Sequence, residues 1–196
     1  MEQNTTSSVR IGFALCGSFC TLKHFIEEIR ILTSFGYDVT PIMSETVYNT
    51  STRFGEAADF IREVSEITGK PILHTKADVE PIGPKKLLDL LLIAPCTGNT
   101  LSKLANGLSD SCVSLAAKAH LRNERPVLVA LSSNDALSGN AKNLGVLLNT
   151  KHIFFVPFRQ DDPEKKPTSL IACREKIPAA LESALAGRQL QPLLCR

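Results

Sequence analysis

LLDLLLIAPCTGNT, Leu87 to Thr100, is the stretch on which the fold turns. From Leu87 to Ala94 it is almost continuously apolar, interrupted only by Asp89. A run without polar alternation fits a central parallel strand covered on both faces. Pro95 is expected to end that strand. Cys96-Thr97-Gly98-Asn99-Thr100 then offers two hydroxyls, an amide and a flexible glycine where a helix begins, and free N–H groups at a helix start favour a phosphate.

The flanking sequence repeats the strand-turn-helix theme. Val9 to Leu15 (VRIGFAL) reads as a strand entering the small turn Cys16-Gly17-Ser18. Leu22, Phe25, Ile26, Ile29, Leu32 and Phe35 then fall on one helical face, stopped by Gly36. Tyr37 to Met43 is a second strand ending in Ser44-Glu45-Thr46, and Gly55 to Ile67 a second helix stopped by Gly69. Lys70 to Lys86, with Pro71, Pro81, Gly83 and Pro84, reads as a loop with a short extended piece at Ile72-Leu73.

Beyond the central strand, Leu101 to Ala105 and Asp110 to Arg122 are helical, the second buried around most of its circumference. Pro126 to Leu131 is a strand, Ser138 to Leu148 a helix and His152 to Val156 the last strand, so five parallel strands are expected. Residues 1–8 read as a disordered N-terminus, 157–168 as a mobile loop and 169–186 as a C-terminal helix that Pro178 kinks. The expected architecture is one α/β domain over 1–196.

Composition narrows the function. The 196 residues carry 22 basic and 20 acidic side chains without a basic block, which argues against a nucleic-acid partner. The first ten residues lack the basic start and apolar run of a secretory signal, and no run approaches the roughly 20 residues of a membrane span. A cytoplasmic protein is expected. The six cysteines read as reduced thiols in a chain of this length. No CxxC pair occurs and the four histidines have no partner at metal-ligand spacing, so no metal is expected.

In an open parallel sheet the ligand crevice lies at the C-terminal strand ends. Gly17-Ser18-Phe19, Ser44, Thr97 to Thr100 and Ser133-Asn134 occupy four such ends. Each could be plain capping, and the first lacks the full GxGxxG fingerprint. On residues alone FMN, NAD and capping all stay open. Together, four small polar ends suit a ligand with many hydrogen-bonding atoms, such as a ribityl chain and flavin edge.

APCTGNTLSKLANGLSD, Ala94 to Asp110, resembles the PxSxNT-type signature of the homo-oligomeric flavin-containing cysteine decarboxylases, and the Gly17-Ser18-Phe19 turn and Ser44 match as well. The resemblance implies a three-layer Rossmann-like (flavodoxin-like) fold with a parallel sheet of about five or six strands, FMN bound between subunits, and a trimer or dodecamer. It places Gly17, Ser18, Phe19, Ser44, Thr97, Asn99, Thr100 and Ser133 on the cofactor. The family's PxMNxxMW element is replaced by Ala130 to Leu137, with Asn134 as the surviving asparagine, so cysteine decarboxylation is not expected.

Over nearly the whole length the chain is similar to the branch of these flavoproteins that works alongside a second, different protein, termed the A subunit. That similarity implies such a partner and oxidation of a dihydrodipicolinate-type precursor to pyridine-2,6-dicarboxylate in the mother-cell cytoplasm of sporulating bacteria. NAD(P) would enter through the A subunit. His74 and Asn134 are the catalytic candidates; Cys16, Cys20 and Cys96 flank the site. Pro95-Cys96-Thr97 also resembles the PCS motif of flavin prenyltransferases, which leaves prenyl transfer as an alternative. A non-catalytic, partner-stabilising protein is the other.

Overall fold

The computed structural model describes residues 8–195; most of the N-terminal segment expected to be disordered lies outside them. Strand β1 (Arg10–Leu15) leads into α1 (Phe19–Ser34), β2 (Asp38–Met43), α2 (Glu45–Asn49), α3 (Ala57–Thr68) and α4 (Lys76–Val79). The chain continues through β3 (Leu90–Cys96), α5 (Gly98–Ala105), α6 (Cys112–Leu121), β4 (Val127–Ser133), α7 (Ala141–Leu148), β5 (Ile153–Phe155), β6 (Phe158–Asp162), β7 (Lys166–Ala172) and α8 (Ile177–Leu185).

The sheet order is β2-β1-β3-β4-β7-β6, with β5 also paired to β4. β1 to β5 are parallel, as expected. Every residue of β3 is buried. Its side chains divide by the pleat: Leu90, Leu92 and Ala94 enter a core layer with Phe13, Phe25 and Leu181, while Leu91 and Ile93 enter another with Val113, Ala116 and Leu144. Helices therefore cover both faces of the sheet, at about 1.5–3 kcal/mol for each large apolar side chain removed from water. Asp89, which interrupts the apolar run, sits just before β3 and pairs with Arg10 at 2.7 Å and Arg125 at 3.1 Å.

Pro95 does not end the strand. β3 runs on to Cys96, across a cis Ala94–Pro95 bond. Proline has no N–H to give the ladder, and pairing with β4 skips from Ile93 to Cys96. The glycine stops hold: Gly36 (φ 84°) follows α1 and Gly69 (φ 65°) follows α3. Leu73 bridges Ile42, as expected of the extended piece. α4 was hidden in the proline-rich segment, and a reciprocal Thr75–Asp78 capping box starts it. α2 and the late start of α7 at Ala141 also differ from the sequence reading.

The largest correction concerns the region expected to be a mobile loop and a long helix. Residues 158–172 form an antiparallel hairpin, with Phe158 opposite Ala172 and Gln160 opposite Leu170. β7 also pairs antiparallel with β4 at Ser132 and Ser133. β6 is the sheet edge and buries only Phe158 fully, so FRQDD has no apolar run to betray it. Pro167 falls where the hairpin register shifts and so needs no ladder partner. α8 begins only at Ile177, and Pro178 sits in its first turn, where its missing N–H costs nothing, rather than kinking it.

Among the described residues no helix is long and apolar enough to cross a membrane, and no cluster of His, Cys, Asp and Glu gathers as metal ligands. The six cysteines are free thiols. His120 on α6 is 1% exposed, and among the described residues its Nε2 has no hydrogen-bond partner. Burial pushes its pKa down to about 4, and nearby Arg125 adds to the shift. The depressed value sets the sign: stability is complete above the unfolded pKa of 6.5 and is lost as pH falls towards 4. Urea unfolding at pH 7.5 and at pH 5 should differ by about 2 kcal/mol from this group, and His120→Leu should remove most of that difference.

Candidate functional site

The C-terminal ends of β1, β3 and β4 meet around an open cavity of about 760 Å³. At the end of β1 the Cys16-Gly17-Ser18 turn starts α1. Ser18 occupies the cap position but its side chain does not cap. Its hydroxyl instead contacts Ser132 Oγ at 3.0 Å and Thr21 Oγ1 at 2.9 Å. Among the described residues the N–H groups of Phe19 and Cys20 are left without a protein acceptor.

The end of β3 behaves alike. Thr97 caps α5 by accepting from Thr100 N at 3.4 Å, which leaves the N–H groups of Gly98 and Asn99 without an acceptor among the described residues. Two helix starts thus present orphan donors to one cavity, the arrangement that attracts anions. α6 contrasts with them. Its start is closed by a Ser111–Ser114 capping box and by Glu45, whose carboxylate accepts from Cys112 N at 2.9 Å.

Gly98 is fixed by what lies above it. A Cβ there would come within 2.5 Å of Ser133 Oγ, 2.7 Å of Asp135 Oδ1 and 2.8 Å of Asn140 Nδ2. Those three groups form a bonded set at the end of β4: Ser133 Oγ donates to Asp135 at 2.5 Å and Asn140 Nδ2 donates to it at 2.7 Å. The Ser133 hydrogen bond, with help from Asn140, holds the Asp135 carboxyl below the usual carboxylate range. Asn143 continues the chain by donating to Asn140 Oδ1 at 2.8 Å.

A smaller cavity of about 280 Å³ shares Gly17, Thr97 and Asn99 with the first and adds Ser44, Thr100 and Lys103. Lys103 is paired with Asp110 at 2.9 Å. Ser44 Oγ caps α2 by accepting from Val47 N at 3.4 Å. Thr100 is buried and its hydroxyl donates to Cys16 Sγ at 3.3 Å. Burial pushes the Cys16 thiol up to about 11 and raises Cys96 as well, so both are neutral thiols. Cys20 is exposed and lines the larger cavity.

Gly17, Ser18, Phe19, Thr97, Asn99, Ser133 and Asn134 line the larger cavity, and Ser44 and Thr100 the smaller. His74 lines neither. Its ring stacks on Tyr48, centroids 3.6 Å apart and planes 4° from parallel, with Nδ1 3.6 Å from Asp78. The wall supplied by Asp161, Lys166, Ser169 and Leu170 of the hairpin is not visible in the sequence, which there reads as a loop and a helix. Asp135, fourth after the apolar run that ends at Leu131, carried a signal that could have found it.

A family model described as Flavoprotein matches residues 1–185. The chain belongs to the Flavoprotein family. It is 48% identical to the B subunit of dipicolinate synthase from Bacillus subtilis (strain 168), over 94% of this chain and 92% of that one. The crystal structure of the corresponding dipicolinate synthase B subunit from Bacillus halodurans C superposes with a TM-score of 0.89 at 45% identity, covering 97% of each chain. The FMN-dependent cysteine decarboxylase SpaF, at 22% identity and a TM-score of 0.65, covers 90% of this chain and 97% of its own and shares the fold. For this flavoprotein-family chain, Gly98→Ala should force apart the polar set above α5 and lower stability by about 1–3 kcal/mol, read from denaturant unfolding.

Proposed function

We propose that the chain binds FMN across the two joined cavities and serves as the B subunit of a dipicolinate synthase. With an A subunit it would oxidise a dihydrodipicolinate-type precursor to pyridine-2,6-dicarboxylate, in the mother-cell cytoplasm of a sporulating bacterium. The observation that carries the cofactor assignment is the pair of helix starts whose first N–H groups, at Phe19 and Cys20 and at Gly98 and Asn99, have no acceptor among the described residues. The 48% identity to the B subunit of a dipicolinate synthase supports the reaction.

The residues fit that group. A cavity of about 760 Å³ is of ligand size, and Gly98 lets the start of α5 lie bare beneath it. FMN bound there would supply a two-electron acceptor for the dihydropyridine. The amides of Gly98 and Asn99, with the Thr97 hydroxyl, would hold the phosphate. Ser18, Ser132 and Ser133 would hydrogen-bond the ribityl chain and ring edge. Asn134 Oδ1 accepts from Ser169 Oγ at 3.4 Å, so its amide donor is free to orient substrate. The hairpin would exclude water from one side. NAD(P) would act at the A subunit, and a trimer or dodecamer of this chain would complete the site.

Calorimetric titration with FMN tests the first step: the wild-type chain should bind, and Asn99→Ala should weaken binding at least about tenfold, or 1.4 kcal/mol. A folded chain that binds no FMN would sink the flavin assignment. Dipicolinate output should need both subunits together. Full output from the A subunit alone would leave this chain without a chemical role.

A further inference from the structure

Four charged side chains line the larger cavity: Arg53, Asp135, Asp161 and Lys166. Three are already engaged. Lys166 Nζ is 2.6 Å from Asp161 Oδ2, and Asp135 takes the Ser133 hydroxyl and the Asn140 amide. Among the described residues Arg53 has neither a carboxylate partner nor a hydrogen bond. Its guanidinium lies over the Phe54 ring, 4.9 Å from the centroid.

The backbone under Arg53 is built rather than loose. Thr52 and Gly55 exchange backbone hydrogen bonds of 3.0 Å in both directions, and Phe54 N donates to Thr52 Oγ1 at 3.2 Å. Gly55, at φ 151°, rests on the buried Phe60 ring, which a Cβ would approach to 2.5 Å. A guanidinium stacked on an aromatic face keeps its in-plane N–H fork available, and that fork matches a carboxylate in two parallel hydrogen bonds. The helix starts of α1 and α5 already supply donors for a phosphate, so the cation is left over for a second anion in the same cavity.

Resting on the FMN-site reading above, we infer that Arg53, backed by Phe54, grips one carboxylate of the pyridine dicarboxylate and its dihydro precursor and so determines substrate specificity. The flat ring of such a ligand would then lie within the cavity that takes the flavin.

The test uses the full chain, with and without FMN, titrated by calorimetry with pyridine-2,6-dicarboxylate. Arg53→Gln should leave FMN affinity within twofold of wild type and weaken dicarboxylate binding at least tenfold, with Arg53→Lys in between. In the enzyme reconstituted with the A subunit, Arg53→Gln should raise KM for the dihydro precursor far more than it lowers kcat. Arg53 is exposed, so the variants should melt as wild type does. Unchanged dicarboxylate affinity in Arg53→Gln, or no dicarboxylate binding by wild type, would overturn the inference. A tenfold loss of FMN affinity in Arg53→Gln would assign the guanidinium to the cofactor phosphate instead, and also overturns it. If wild type binds no FMN the flavin reading fails separately, and the flavin-free titrations still decide the role of Arg53.

Discussion

Burial of β3 on both faces is the constraint from which the rest follows. With all seven of its residues out of water, the strand can carry only apolar side chains, and polar chemistry is displaced to its end. β1 and β4 on either side are buried and apolar between Ile11 and Leu15 and between Val127 and Leu131. Three strands that end at one level therefore deliver three polar turns to one place, at Ser18, Thr97 and Ser132. No single turn is specific; their convergence is enforced by the sheet.

What happens at those turns differs in a way that packing explains. The start of α6 is satisfied by Ser111 and by Glu45 from across the sheet, so it is inert. α1 and α5 keep open donors for different reasons: the Ser18 hydroxyl faces Ser132, and the Thr97 cap takes up only the Thr100 N–H. The polar set of Ser133, Asp135 and Asn140 needs the space that Gly98 leaves. The buried thiols nearby stay neutral for want of water around a thiolate.

The parallel core was legible because strands covered on both faces write themselves as nearly continuous apolar runs, Val9 to Leu15 and Leu87 to Ala94 among them. The hairpin was not, because an edge strand buries one face at most, and Phe158 alone does not make a pattern. α2 escaped because five residues span barely more than one turn. Nine of the ten expected site residues line the two cavities that share Gly17, Thr97 and Asn99, since strand ends can be placed once the strands are known. His74 follows no such strand end, and its ring stacks on Tyr48 outside both cavities. Arg53 was visible as a charge, but its solitude depends on what Lys166 and Asp135 contact, which only the fold reveals.

β4 changes partners along its length. Its first half lies beside β5, from Val127 to Val129, and its last two residues lie beside β7. The strand thereby separates two duties that most strands combine. Residues deep in the sheet hold the scaffold, while the hairpin hangs from the rim by a short antiparallel seam. Lengthening or recolouring the hairpin tip would reshape one wall of the cavity without disturbing a single rung of the parallel ladder. One scaffold can in this way be refitted for a different substrate by editing an appendage.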